Sequence, residues 1–254
     1  MLESPARSHA LVTGASRGIG AAIARQLAAR GCRVALHFQK NRAAAEATRT
    51  TLGGDGHALF AADLANPADV ARLWHEVTGA FGRIDVVVNN AGIYEEHAPL
   101  ATTLAGWQDA WQRTIAVNLL GPAHLCHCAA NAMVAAGGGR IVNISSRGAF
   151  RGEPLAPAYG ASKAGLNSLS QSLAKALAPH GVFVFCIAPG WVDTDMAADH
   201  LAGPPGREIL AQHPLGRVAT AGEIASTAVF CALDAPPPMT GAILDVNGAS
   251  YLRT

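Results

Sequence analysis

The chain has 254 residues, half of them apolar and 15% charged, with 19 basic and 18 acidic side chains and a formal net charge of +1. That length and composition suit one α/β domain with a large two-sided core and exclude a disordered or low-complexity chain. The balanced charge gives no long-range attraction to a polyanion, so no nucleic-acid partner is expected.

In chain order, the opening MLESPARSHALVTGAS carries an acid at Glu3 and reaches turn glycines before any long apolar run, which makes a poor secretory leader. No uninterrupted run of the roughly 18 apolar residues that span a bilayer follows, so a soluble cytoplasmic protein with no membrane partner is expected. A first strand over 9–13 runs into Thr13-Gly14-Ala15-Ser16-Arg17-Gly18-Ile19-Gly20 and then a helix over 18–30. Glycines there permit a tight turn and close approach of backbone to a pyrophosphate, and the helix N-terminus offers free N–H groups to the anion. The spacing, G-x-x-x-G-x-G, departs from the common G-x-G-x-x-G, but the strand–turn–helix setting is the required one. The second strand, 33–38, ends in His37-Phe38-Gln39-Lys40-Asn41-Arg42, with no acid before Glu46. An NAD site usually has a carboxylate about 20 residues past the glycines to hold the ribose hydroxyls. Here Arg17, Lys40 and Arg42 could instead neutralise a 2′-phosphate, which favours NADP(H) over NAD(H).

A helix over 41–52, a strand over 57–61, a helix over 67–80 and a strand over 84–89 follow, then a long helix over 107–136. The latter holds His124, Cys126, His127 and Cys128, a cluster that invites a metal reading. Residues two apart on a helix face different ways, so Cys126 and Cys128 are read as structural thiols and no metal is expected. A strand over 140–145, a helix over 158–178, a strand over 182–188, a helix over 221–233 and a strand over 242–246 complete the pattern. Most strands are continuously apolar, as in sheets buried on both faces. The expectation is a single-domain Rossmann-type α/β fold over 1–254, a doubly wound seven-stranded parallel sheet with helices on both faces. Residues 193–215, broken by Gly203-Pro204-Pro205-Gly206, read as a substrate lid, because ligands of such sheets bind at the strand C-termini, with a variable surface excursion the alternative.

Tyr159 and Lys163 stand four apart at the start of a helix and share a face. Hydride addition to a carbonyl leaves an alkoxide that needs a proton, and free tyrosine, with a pKa of about 10, gives it up poorly near neutrality. A nearby ammonium lowers that pKa. Ser146, ending the fifth strand at the same sheet edge, could hydrogen-bond the developing alkoxide.

With these residues the chain resembles the short-chain dehydrogenase/reductase family over essentially its whole length. Thr13–Gly20 resembles the family's T-G-x-x-x-G-x-G loop and Asn89-Asn90-Ala91-Gly92 its N-N-A-G. Asn118, Ser146, Tyr159 and Lys163 match its catalytic set, Pro189-Gly190 with Thr194 its P-G-x-x-x-T, and Thr240-Gly241 with Val246-Asn247-Gly248 its C-terminal end. The resemblance implies a cofactor site of Gly14, Ser16, Arg17, Gly18, Ile19, Gly20, Gln39, Lys40, Asp63, Leu64, Asn90, Ala91, Gly92, Pro189, Gly190, Val192 and Thr194, together with Tyr159 and Lys163. Asp63 would bond the adenine, Asn90 backbone would line the adenosine ribose, and Lys163 would hold the nicotinamide ribose. Val192 and Thr194 would contact the carboxamide, and Asn118 would anchor a water that links Lys163 to solvent. A homotetramer, built partly on the helices over 107–136 and 158–178, is also implied.

Within the family the chain is most similar to 3-oxoacyl-[acyl-carrier-protein] reductases and their paralogues. Their basic docking positions align with Gly137 and His180 here, which removes ion pairs to an acidic carrier. A free small-molecule carbonyl or alcohol is therefore the expected substrate, with the carrier-protein reductase second and a non-catalytic NADP-binding sensor a remote third. Arg147 and Arg151 either point into the pocket towards an anionic carboxylate or phosphate, face solvent, or pair with Glu153. Tyr94, Phe150 and Trp191 are candidate pocket walls.

Overall fold

The computed structural model describes residues 8–253, without the side chains of Asp199 and Pro205. Residues 1–7, on which part of the leader argument rests, and Thr254 lie outside the described residues. The first half runs β1 (His9–Val12), α1 (Gly18–Ala29), β2 (Arg33–Phe38), α2 (Arg42–Thr50), β3 (Ala58–Ala61), α3 (Pro67–Phe81) and β4 (Val86–Asn89). It continues with α4 (Leu104–Ile115), α5 (Gly121–Ala135), β5 (Gly139–Ile144), α6 (Gly148–Arg151), α7 (Pro157–Leu177) and β6 (Val182–Pro189). The chain closes with β7 (Val192–Asp193), α8 (Ala198–Leu201), α9 (Gly203–Ala211), β8 (Ala219–Thr220), α10 (Ala221–Val229) and β9 (Ile243–Val246).

Seven strands form one parallel sheet in the order β3-β2-β1-β4-β5-β6-β9. The pleat sends alternate residues to opposite faces, so each strand feeds two cores. Ala10 and Val12 of β1, Val86 and Val88 of β4, and Phe185 and Ile187 of β6 pack towards α1 and α10. Leu11, Val87, Val182 and Val184 pack towards α3 and α5. Both faces are apolar because both are covered, which is why these strands read as unbroken apolar runs. Among the described residues no helix is long and apolar enough to cross a membrane.

The winding reverses between β1 and β4, and the loops leaving their C-termini part there, opening a crevice at that edge. Two features absent from the sequence expectation shape it. The helix expected over 107–136 is two helices joined by a π-helical turn over 116–120, with Asn118 buried inside the turn. The segment after β6 forms a two-stranded β7–β8 ladder that ties down the base of the α8–α9 excursion.

Candidate active site

The first wall of the crevice is the loop between β1 and α1. Thr13 Oγ1 accepts from the backbone N–H of Asn90 at 2.9 Å and of Ala91 at 3.0 Å, while Asn90 Nδ2 donates to the Thr13 carbonyl at 2.9 Å. These bonds hold the two loops so close that a Cβ on Gly14 would stand 2.9 Å from Ala91 Cα, and one on Gly20 would collide with the Gly14 carbonyl. Gly14 and Gly18 also take φ of +63° and +53°, where only glycine is at ease. Arg17 caps α1 without a side-chain hydrogen bond, and no acid lies in the first turn. The first N–H groups of α1 are therefore left for an anion, with the positive end of the helix dipole behind them.

His37 braces this loop, a role sequence reasoning missed. Its Nδ1 accepts from Gly14 N–H at 3.1 Å and its Nε2 meets the Ala62 carbonyl at 3.1 Å, which fixes the neutral Nε2–H tautomer. Burial pushes its pKa down to about 4, against weaker support for the charged form from the Ala62 carbonyl and Asp63.

Beyond the loop the cavity, about 700 Å³, is lined by Ser16, Arg17, Gly18, Ile19, Gln39, Lys40, Asp63 and Leu64 at one end. No carboxylate follows β2 where a 2′-phosphate would sit, and Arg17 and Lys40 are both at hand. These features fit a phosphorylated dinucleotide. Arg42, the third cation expected there, is instead exposed as the first residue of α2 and does not line the cavity. Gly20 is not in the lining either; it serves the close approach behind the loop.

Ser146, Tyr159 and Lys163 meet in the middle of the same cavity, with Asn90, Ala91, Gly92, Pro189, Gly190, Val192 and Thr194 around them. Tyr159 and Lys163 lie one turn apart on α7, the ammonium 5.6 Å from the phenol ring centroid. Lys163 Nζ donates to the Ile144 carbonyl at 2.9 Å, and burial pushes its pKa down to about 8. Burial pushes the Tyr159 phenol up to about 12; a hydrogen bond with Ser146 opposes this, and the Glu153 charge adds to it. The lowering expected from Lys163 is not seen: burial dominates, and Ser146 is the group that opposes it.

Asn118 stands behind this trio rather than in the cavity lining. Its Oδ1 accepts from Ile93 N–H at 2.8 Å, and its Nδ2 donates to the Ile93 carbonyl at 2.9 Å and Ser162 Oγ at 3.2 Å. A Cβ on Gly92 would touch both Asn118 Oδ1, at 3.3 Å, and Lys163 Nζ, at 3.4 Å. Gly92 therefore keeps the space between these two residues open, and the π-helical turn brings Asn118 to it.

The far end is closed by aromatic rings. Tyr94 packs edge-on against Tyr159 with centroids 5.1 Å apart, and His200 of α8 contacts Tyr94 at 5.5 Å and Trp191 at 5.3 Å. Met196, Ala197 and His200 of the 193–215 segment line the cavity. Phe150 is not a wall, because its ring carries the Arg253 guanidinium at 4.3 Å. Arg147 borders the cavity but is buried, bonded to the Ser250 hydroxyl and, at 3.2 Å, to Gln212 Oε1. Arg151 shares that Gln212 oxygen at 3.2 Å. Glu153, expected only as a partner for the two arginines, and His200, not expected at all, line this end too.

A family model described as enoyl-(acyl carrier protein) reductase matches residues 14–249. A D-threitol dehydrogenase of Mycolicibacterium smegmatis is 41% identical over 246 residues, 96% of this chain and 93% of that protein. The 3-oxoacyl-[acyl-carrier-protein] reductase FabG of Escherichia coli K12 is 38% identical over 247 residues, 96% and 97% of the two chains. The FabG of Staphylococcus aureus Mu50 is 37% identical over 245 residues, 96% and 98%. Matches of this extent, with the glycine loop and the tyrosine–lysine pair in one crevice, make the chain an oxidoreductase that belongs to the short-chain dehydrogenase/reductase family.

Proposed function

We propose that this protein transfers hydride between NADP(H) and the carbonyl or alcohol carbon of a free small molecule, with Tyr159 as general acid and base. The observation that carries the reading is the convergence of Ser146, Tyr159 and Lys163 in one cavity with an uncapped, acid-free helix N-terminus. NADP(H), when bound, supplies or accepts the hydride. Gly14 to Ile19 would hold its pyrophosphate, Arg17 and Lys40 its 2′-phosphate, Asp63 and Leu64 its adenine, and Val192 and Thr194 its carboxamide.

In the reducing direction the Ser146 hydroxyl orients the substrate oxygen, and the Tyr159 hydroxyl gives that oxygen its proton. Lys163, poised near neutrality, returns a proton to the phenolate, and Asn118 keeps a path from Lys163 towards solvent. In the oxidising direction the same groups run in reverse. The reading extends to a cytoplasmic homotetramer, as the family resemblance implies.

The second reading, a carrier-protein reductase, draws support from the FabG relatives, which align over nearly their full length. Against it, Gly137 and His180 are exposed where ion pairs to an acidic carrier would form. A paired assay separates the two: acetoacetyl-carrier protein against free ketones, 3-oxo esters and alcohols, each with NADP(H) and NAD(H). Preference for free substrates with NADP(H) is expected, and preference for the carrier-bound thioester would overturn it. Tyr159→Phe should lose turnover by about 10² to 10⁴-fold while NADPH still binds; retained turnover would remove Tyr159 as the proton donor.

A further inference from the structure

At the substrate end of the cavity, Glu153 lines the wall with Tyr94, Ser146 and Tyr159. Its side chain is only 15% exposed, and its ion-pair partner, Arg151 Nε, stands 3.9 Å from Oε1, beyond hydrogen-bonding distance. No hydrogen bond to this carboxylate is found among the described residues; Arg147 and Arg151 act on it only through charge, and burial raises its pKa. Gly148 makes the room for it, since a Cβ there would collide with Oε1. The carboxylate is near enough to the reacting group for its charge to act on both Tyr94 and Tyr159.

A carboxylate is acceptor-only, and this one, largely shielded from solvent, keeps lone pairs open towards the cavity for a ligand's donors. A substrate that brings hydroxyl donors to it is favoured, and a diol can bring two. A 3-oxoacyl thioester brings only acceptors next to its reacting carbonyl and would leave Glu153 unpaired. An anionic substrate meets a like charge, and Arg147, which borders the cavity beside Glu153, is already bonded to Ser250 and Gln212. Burial pushes the Tyr94 hydroxyl, which lines the same cavity, up to about 12, so it stays a neutral donor.

We propose that Glu153 is a specificity-determining residue and that the substrate is a neutral polyhydroxylated compound, a sugar alcohol or its hydroxyketone, whose hydroxyl beside the reacting carbon donates to the Glu153 carboxylate. This rests on the oxidoreductase reading above and names its substrate class.

The test uses the full chain with NADP+ and a four-carbon series: a tetritol, 1,2-butanediol, 2-butanol, 1-amino-2-butanol and 3-hydroxybutyrate. The wild type should favour the tetritol over 2-butanol by about a hundredfold or more in kcat/KM, and Glu153→Gln should cut that ratio at least tenfold. Tetritol binding to the NADP+-loaded protein, read by Trp191 fluorescence or calorimetry, should weaken in parallel, and the unfolding temperature of Glu153→Gln confirms that it folds. A ratio unmoved by the substitution, or a preference for the amino alcohol or the hydroxy acid, overturns the assignment while oxidation of free alcohols still stands. Turnover of the carrier-bound thioester alone, with no tetritol binding, overturns both.

Discussion

Burial moves Lys163, Tyr159 and His37 away from their ordinary pKa values, and each leaves its own signature in stability against pH. Lys163 falls from 10.5 to about 8, so between those values the unfolded chain holds more protons and stability rises with pH. Below about 8 the folded protein carries the full cost of the buried ammonium. Lys163→Met should therefore raise stability at pH 7 by on the order of 3 kcal/mol, an advantage that fades towards pH 10.5, while turnover collapses. A variant less stable at pH 7 would mean that the bond to the Ile144 carbonyl outweighs desolvation. His37 falls from 6.5 to about 4, so stability is full above 6.5 and is lost as pH drops through that window. Protonation of the folded protein, near pH 4, also removes the acceptor for Gly14 N–H, so NADPH affinity should hold through most of that window and decline only towards its lower end. Thermal unfolding and NADPH titration from pH 7 to 4 check this, and His37→Phe should flatten the slope. The tyrosine–lysine pair was legible in the sequence because four residues on a helix fix a shared face. The role of His37 was not, because its second partner, the Ala62 carbonyl, comes from the chain after β3.

The glycines of α1 and α3 separate close packing from helix propensity at the scale of elements. Gly79, exposed in α3, has nothing within 4 Å of where a Cβ would go, so Gly79→Ala should stabilise by up to about 1 kcal/mol. Gly20→Ala gains the same propensity but drives a methyl into the Gly14 carbonyl and to 2.5 Å from Asn90 Nδ2. Overpacking of that kind costs about 1–3 kcal/mol, so Gly20→Ala should be destabilised and bind NADPH more weakly. Equal melting temperatures for the two variants would refute the close-packed role of Gly20. Strand and helix positions were legible in the sequence to within a few residues, because the period of apolar side chains sets them. The exceptions were local. The π-helical turn at 116–120 leaves the apolar period almost undisturbed, so one helix was expected where α4 and α5 stand. The two-residue strands β7 and β8 and the four-residue α6 are too short to show any period.

For the molecule as a whole, the doubly wound sheet was legible because two covered faces demand apolar residues at every strand position, whereas of the substrate end only Tyr94 and Trp191 were, because it is assembled from loops far apart in sequence. Tyr94 follows β4, Glu153 precedes α7 and His200 lies in α8, and no spacing rule joins them. The same limit applies to assembly, where exposure is the useful guide. Leu104, Leu120 and Leu155 are 72%, 47% and 48% exposed, on or beside α4, the π-helical turn and α7. Those elements pack on one another, and α7 carries Tyr159 and Lys163. Leaving such side chains in water forgoes about 1.5–3 kcal/mol for each that a partner could fully bury. In the proposed tetramer, contact between subunits would cover part of this surface and brace the catalytic helix. Light scattering of the purified protein should then give four chains, and Leu120→Asp should shift the mass towards smaller species with an unfolding temperature that depends on protein concentration. A wild type that stays monomeric at assay concentration would remove the tetramer and leave α7 held by its intrachain packing on β6, α4, α5, α6 and the π-helical turn.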